Sequence, residues 1–462
     1  MPGRPLEYDS LKAVLRHLEA NLRFQIFLRM PLLRNVDKIL PLKIKHLSVK
    51  EFSTIVNNTT YRLGVYQHYP TGKVPEPIKE NNSCGGSMED FDEFGFSTLS
   101  GYYVRLPGDV SYRDENGILF RTDTDEVETQ YRQSLRTYEI AKERYTELKK
   151  KGLTVKEYLN SLEPLEDNIA NHEESVVRHI LKYSSTSIDW DIEYYQTKLV
   201  PFDCRRNNSK PPFTCYIQLT ITKGKEIRIQ RFEYNRKLFE AVKQLNQVLF
   251  GGRSFPIYVS NFDILTPTED TYRLPIGFRL KVKTVHSFEY TLYDENFQLI
   301  VKNSDCLSTL WINSRLFFSP YFQNPTVLNS KELIIVASTS HEIQGFTRMI
   351  KAVRNLNVSF KSYNLTFSPE EYYGLYHSWL SGNRPIGAMC CIGLEKEETG
   401  REVLKLIGTR NEKTKRTKRC VTVQKNATIR LEVFYVPFRS TERCYHDLKC
   451  NWILKMRMVK VN

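Results

Sequence analysis

Four short runs decide how this chain reads: Thr309–Ser314 (TLWINS), Leu333–Ser338 (LIIVAS), Val358–Tyr363 (VSFKSY) and Ile386–Leu394 (IGAMCCIGL). Each is apolar or alternating and rich in β-branched and aromatic residues, the composition of a strand. Counted from Leu310, Leu333, Val358 and Ile386, their starts lie 23, 25 and 28 residues apart. Helical pattern fills the gaps. A stretch around Phe346–Val353 precedes Val358, and Ser368-Pro369-Glu370-Glu371 opens a further helix with a capping box and Pro at its first turn, burying Tyr372, Leu375 and Trp379. Strand and helix units of this length predict a short array resembling leucine-rich repeats, although no L-x-x-L-x-L-x-x-N core recurs. Residues Cys420 to Asn462 alternate like antiparallel strands and are expected to close it.

The array has an entry upstream. FTCYIQLTIT after Pro211-Pro212, the turn Lys223-Gly224-Lys225 and EIRIQRFEY read as a β-hairpin. Asn235 is placed to cap a helix that turns Leu238, Val242, Leu245 and Leu249 inward and ends at Gly251-Gly252. Residues 201–462 are therefore expected to be one α/β repeat-like domain closed by antiparallel strands. Before it, residues 42–200 read as a mixed domain. Alternation from Leu42 to Tyr69 gives strands joined at Asn57-Asn58, and Pro70–Gly117 reads as a long surface loop or edge region. A charged helical hairpin spans 124–163. Asp123 and Glu126 cap its first helix, with Tyr131, Leu135, Tyr138, Ala141, Tyr145 and Leu148 as the apolar stripe; Thr154 and Glu157 box the second, which Pro164 ends.

The opening, residues 1–41, reads as three short helices. Asp9 can cap the first, which carries Leu11, Val14, Leu15 and Leu18 on one face; Asn21 can cap the second, with Leu22, Ile26 and Met30; Pro31 forces the break before the third. So small a unit cannot bury its apolar side chains by itself, so it leans on the next domain or on a partner. The whole chain is classed as α+β.

Composition narrows the function. Lys plus Arg number 67 against 53 Asp plus Glu, a net charge of +14, but most cations alternate with acids instead of forming a stripe, which favours solubility over a polyanion site. Nucleic acid stays a possible partner. The nine cysteines are scattered with no C-x-x-C pair, as expected for buried thiols in a reducing compartment, and no secretory signal or membrane span is read, so the expected location is cytoplasmic, nuclear or both. Phosphate loops, dinucleotide fingerprints, nucleophile elbows and zinc-protease helices have no match, so no catalytic residue and no cofactor is assigned and the chain is expected not to be an enzyme. Gly251-Gly252-Arg253-Ser254 follows a helix instead of preceding one, which suits helix termination better than phosphate binding. Cys444, His446 and Cys450 lack the spacing of a zinc site, and no metal is assigned. The pair Cys390-Cys391 should place one thiol inward and one outward. One basic run stands out: Lys413, Lys415, Arg416, Lys418 and Arg419, either an import signal or phosphate patch, or an exposed strand edge.

Several segments together resemble the nematode F-box C family: PLEYDSLKAVLRHLEANLRFQIFLRMPLLRNVDKILPL at the opening, FTCYIQLTITKG, IQRFEYNRKLFEAVKQLNQVLFGGRS, RLPIGFRLKV and WLSGNRPIG. The resemblance implies an F-box-like opening and a domain of unknown function specific to such nematode proteins. It further implies a substrate-receptor subunit of an SCF-type cullin-RING ubiquitin ligase, with a Skp-type adaptor and an unknown protein substrate as partners. On it, Pro5 and Leu6 stand where the F-box begins with Leu-Pro, Leu15 and Leu18 where its first helix carries aliphatic residues, and Asn21-Leu22 where Asp-Leu opens its second. Pro5, Leu6, Leu11, Leu15, Leu18 and Leu22 are thus the implied adaptor contacts. Arg29-Met30-Pro31 stands in place of the usual Cys-Arg-x-Trp region, and the alternative is an interaction or nucleic-acid-binding protein with an F-box-like shape and no ligase association.

Overall fold

A computed structural model describes residues 7–98, 104–111, 122–162, 172–264, 271–288, 300–301, 304, 307–314, 324–337, 343–362, 367–411, 414–438 and 450–461. Helices α1 (Tyr8–His17), α2 (Ala20–Arg29) and α3 (Leu33–Lys38) come first, followed by strands β1 (Lys43–Val49), β2 (Ser53–Val56) and β3 (Thr59–His68). Helix α4 (Glu76–Ser83) and the two-residue strands β4 (Asp90–Phe91), β5 (Ser97–Thr98) and β6 (Val110–Ser111) lead to α5 (Asp125–Lys150), α6 (Val155–Ser161), α7 (His172–Ile180) and α8 (Ser185–Arg206). The hairpin β7 (Thr214–Lys223) and β8 (Glu226–Glu233) precedes α9 (Leu238–Phe250), β9 (Ile257–Ile264), β10 (Thr271–Tyr272), β11 (Leu280–Phe288) and β12 (Thr309–Ser314). Then come α10 (Pro325–Leu328), β13 (Glu332–Ala337), α11 (Ile343–Ala352), β14 (Asn357–Ser362), α12 (Pro369–Ser381), β15 (Met389–Leu394) and α13 (Glu397–Arg410). Strands β16 (Thr414–Arg416), β17 (Cys420–Gln424), β18 (Ile429–Pro437) and β19 (Trp452–Lys460) finish the chain.

Fifteen of these strands form one mixed sheet, in the order β16-β17-β18-β19-β15-β14-β13-β12-β11-β9-β1-β2-β3-β7-β8. Its centre is parallel: β9, β11, β12, β13, β14 and β15 lie side by side in chain order, and β1 joins the block through β9. Both flanks are antiparallel, with β19 against β15 at one side and β2, β3, β7 and β8 at the other. The sheet draws on every part of the chain, because β1 pairs with β9 and β3 with β7. Side chains alternate across it. Leu47, Phe262, Val285, Leu310, Leu333 and Val358 point into a core shared with α2, α9, α11, α12 and α13. Helices α5, α7 and α8 form a satellite cluster around Ala141, Val177, Leu181 and Ile188.

The successive strands are stitched by buried polar side chains. Asn355, before β14, donates to the carbonyls of Val327 and Ser330, before β13, at 2.6 and 3.0 Å. Arg384, before β15, donates to the carbonyls of Val353 and Ile350 and lies 4.4 Å over the Trp379 ring. These bonds satisfy carbonyls at the ends of α10 and α11 and just beyond them, where the intrahelical ladder runs out.

Local signals set most boundaries, with some shifts at the caps. The capping boxes at Thr154/Glu157 and Ser368/Glu371 form as read. Elsewhere the capping residue differs. Helix α1 begins at Tyr8 instead of after Asp9, Glu19 and not Asn21 accepts the first amides of α2, and Thr124 instead of Asp123 caps α5. At α9, Lys237 takes the cap position instead of Asn235, and the Leu238 amide donates 2.7 Å to Asp90, a carboxylate remote in sequence. Pro164 lies outside the described residues. The expected loop after Pro70 carries structure: Pro75 and Pro77 start α4, and Asn82 exchanges hydrogen bonds of 3.1 and 2.9 Å with the backbone of Gln67 on β3. Gly64 allows the approach, since a Cβ there would sit 2.4 Å from the carbonyl oxygen of Gly85. Among the described residues no helix is long and apolar enough to cross a membrane.

Candidate functional site

The opening helices are fastened to the sheet by residues that also look like interface residues. Leu15, Ala20, Phe24 and Phe27 are buried, and the Phe24 ring meets Phe27, Tyr61 and Phe250 edge-to-face at 5.6, 6.5 and 5.9 Å. Asn21 is locked between strands, donating to the Val56 carbonyl and accepting from the Tyr61 hydroxyl, both at 3.0 Å. Beneath lies an ion cluster that sequence reading passes over. Asp37 receives Arg23 Nε at 2.6 Å and Arg253 Nη2 at 2.7 Å, all three side chains being almost fully buried. Burial pushes the Arg253 guanidinium below its ordinary value, and Asp37 opposes the shift. The Gly-Gly-Arg-Ser turn thus spends its cation on an internal carboxylate.

Of the implied adaptor contacts, Leu15 is 2% exposed and belongs to the internal packing, Leu11 and Leu18 are half-buried, and Leu22 faces solvent. Pro5 and Leu6 lie outside the described residues. Besides Leu22, the side chains Val14, Leu28, Met30 and Leu32 of the opening segment are exposed, Leu32 at 90%. The apolar positions read for α2, Leu22, Ile26 and Met30, are the outward ones, whereas Ala20, Phe24 and Phe27 make the stripe that enters the core.

Next to this surface a groove of about 770 Å³ opens between α2, α9 and the inner face of β3, β7 and β8. Its floor is a grid of cross-strand neighbours: Tyr61 beside Ile221 and Arg228, Leu63 beside Leu219 and Gln230, and Ile217 beside Phe232. Ala241, Leu245 and Val248 of α9 make one wall, and Leu28 of α2 an end. Every residue of β8 is exposed, because the hairpin overhangs the end of α9 and β8 is the last strand of the sheet. Four cations, Arg29, Lys223, Arg228 and Arg236, and two acids, Glu226 and Glu233, line the groove. Arg228 lies 3.9 Å from Glu226, and Arg236 bonds only the neutral amides of Asn235 and Gln244. Arg29, Lys223 and Arg236 have no carboxylate partner among the described residues.

The sheet face opposite the helices carries a second polar constellation. Asp263 on β9 holds His46 Nε2 of β1 and His286 Nδ1 of β11, each at 2.6 Å. The His286 ring stands edge-on to Trp311 at 5.2 Å, and Lys361 caps the Trp311 ring at 4.3 Å. Burial alone would raise the Asp263 carboxyl, but the two imidazoles outweigh it and bring it down to about 2. The hydrogen bond to Asp263 raises His46, against the opposing effect of burial. Both oxygens of this carboxylate are committed to the rings, and among the described residues no group of His, Cys, Asp and Glu is arranged to hold a metal ion.

Lys415 and Arg416 lie on β16, the far edge strand, and Lys418 and Arg419 in its turn, all exposed. Arg419 is engaged with Glu397 at 3.0 Å and with the rings of Tyr435 and Trp452. Lys413, Cys444 and His446 lie outside the described residues. Cys390 is fully buried and Cys391 half-buried on opposite faces of β15. Residues 237–396 match the family model described as Domain of unknown function (DUF3557), which covers α9 through β15. No curated protein and no solved structure matches the chain.

Proposed function

We propose that this chain is a non-enzymatic interaction protein of the substrate-receptor type, in which the opening helices dock on a Skp-type adaptor of a cullin-RING ubiquitin ligase and the sheet domain holds the protein substrate. The observation that carries the reading is the two-sidedness of α1 to α3. One side enters the core through Leu15, Ala20, Phe24 and Phe27, and the other keeps Val14, Leu22, Met30 and Leu32 in solvent. Several large aliphatic side chains exposed on so small a unit favour an interface. The neighbouring parallel strands, each laid beside its predecessor in chain order, support the leucine-rich-repeat-like part of the same reading.

The test is co-purification of the full chain with the adaptor and cullin. Leu22→Asp with Leu32→Asp replaces exposed side chains, so the thermal transition should stay within about a degree while adaptor capture is lost. Leu15→Asp is the contrasting variant: it buries an unpaired charge and should destabilise the whole fold. Adaptor binding that survives Leu22→Asp/Leu32→Asp, or that is absent from the folded parent chain, removes the ligase reading.

A further inference from the structure

The groove beside β8 carries a reading that rests on the chain being an interaction protein and says what kind of segment it holds. A free strand edge is a hazard that folded proteins shorten, bulge, cover or break with proline. Among the described residues strand β8 shows none of these, and its one guard is charge, in Glu226, Arg228, Arg231 and Glu233. It runs for eight residues without proline, in unbroken register with β7 from Tyr216↔Glu233 to Lys223↔Glu226, and its outer edge has no partner strand. At about 3.4 Å per residue this edge offers roughly 27 Å of unpaired backbone. The inner face beside it is the apolar floor of the groove, with Leu219, Ile221, Leu63 and Phe232 reachable from the mouth.

We propose that the β8 edge and this groove together take up an extended, acidic segment of a partner protein as an additional strand. Backbone pairing to β8 supplies sequence-independent affinity, and alternate side chains of the segment fall into the groove, the division of labour of strand addition. The charges select the sign. Among the described residues Arg29, Lys223 and Arg236 lack a carboxylate partner, against one acid on the lining without a cation, Glu233, since Glu226 lies near Arg228. A segment whose groove-facing side, every second residue, carries both carboxylates and aliphatic side chains satisfies floor and rim together. A second copy of the chain is not selected by the charges, because its own β8 brings Arg228 and Arg231 together with Glu226 and Glu233 and so no net negative charge.

The experiment uses the full chain and a synthetic eight-residue peptide repeating Val-Thr-Glu-Thr, in which Val and Glu share one face (the Glu-Val peptide), labelled for fluorescence anisotropy, with its Lys-for-Glu counterpart (the Lys-Val peptide) and an oligothymidine as comparison probes. Saturable binding of the Glu-Val peptide is expected, with slowed amide exchange over residues 226–233 and at least a tenfold loss of affinity in Lys223→Glu/Arg236→Glu, whose side chains are exposed and whose replacement leaves the fold intact. Equal binding of the Lys-Val peptide, unchanged affinity in the double variant, or preferential binding of the oligothymidine would overturn the proposal. So would concentration-dependent dimers that protect β8 without peptide. Adaptor capture is scored on the same preparations with Leu22→Asp/Leu32→Asp: loss of the adaptor with peptide binding retained touches the ligase reading alone, and the reverse touches only the groove.

Discussion

Replacing Asp37 by Asn tests whether the opening helices are part of the core or an appended unit. The carboxylate is the sole side-chain anion between Arg23 and Arg253, which approach it at 2.6 and 2.7 Å with side-chain exposures of 1% and 6%. Removing one partner of a buried pair typically costs about 3–5 kcal/mol, since the remaining charge is stranded. Here two cations are stranded, but each keeps a carbonyl: Arg23 bonds the Pro41 and Asp37 carbonyl oxygens at 2.7 and 3.2 Å, and Arg253 bonds that of Asp37 at 3.2 Å. The loss should therefore fall near the lower bound, about 3 kcal/mol. With a urea m-value of about 3 kcal/mol/M, the midpoint drops by roughly 1 M.

The assay is equilibrium urea unfolding followed by tryptophan fluorescence and far-UV circular dichroism. Because Arg253 closes α9 while Arg23 and Asp37 belong to α2 and α3, both probes should move together. The companion variant Arg23→Met/Asp37→Leu/Arg253→Met removes all three charges and should recover most of the loss, since apolar replacement of a whole buried cluster is commonly neutral or stabilising. A midpoint for Asp37→Asn within about 0.2 M of the parent, or an early separate transition confined to the first helices, would refute the reasoning.

Three further outcomes follow from the same structure. His46 is raised above its ordinary value of 6.5, so its contribution is complete below that pH and is lost as pH climbs through the folded value; Asp263, held at about 2 against 3.8, contributes above 3.8 and loses that on acidification. His46→Gln should flatten the alkaline limb of a urea-midpoint profile, and an unchanged limb tells against the assignment. Arg384→Ala leaves the buried carbonyls of Val353 and Ile350 without their donor and should cost about 2–3 kcal/mol, read by thermal unfolding; a loss under about 0.5 kcal/mol discards the capping role. Alanine at Lys413, Lys415, Arg416, Lys418 and Arg419 should leave the nuclear fraction of a fluorescent fusion unchanged if the run is a guarded edge, and clear exclusion from the nucleus would instead make it an import signal.

The sequence discloses the strands and helices of this chain better than it discloses their neighbours. Alternation in TLWINS, LIIVAS and VSFKSY and the boxes at Thr154 and Ser368 act within a few residues, and they appear where read. The pairing of β1 with β9 joins segments more than two hundred residues apart, and no local period encodes it. For the same reason the groove is invisible beforehand: its lining comes from α2, β3, β7, β8 and α9. Alternation in EIRIQRFEY correctly signals a strand, yet neither face of β8 is covered, because cover depends on where α9 ends.

Charged residues on apolar stripes were a legible signal that composition hid. Arg23 falls between Ala20, Phe24 and Phe27 on the buried side of α2, and Lys243 with Asn246 on the stripe of Phe239 and Val242 on α9. A charge on a core-facing stripe demands a buried counter-ion. Asp37 and Asp109 are those counter-ions: the second takes Lys243 at 2.7 Å and Arg273 at 2.7 Å. Arg273 opens the RLPIGFRLKV segment, Arg253 lies in the GGRS turn that follows α9, and Arg384 lies in WLSGNRPIG, so the segments that carry the resemblance supply internal charge and capping. Five cations, Arg23, Lys243, Arg253, Arg273 and Arg384, are thereby drawn inward against two carboxylates, and this share of the +14 net charge is not available to a surface ligand. What recruits an acidic partner is the position of a few unpaired cations on the β8 groove, and the total charge says little about it.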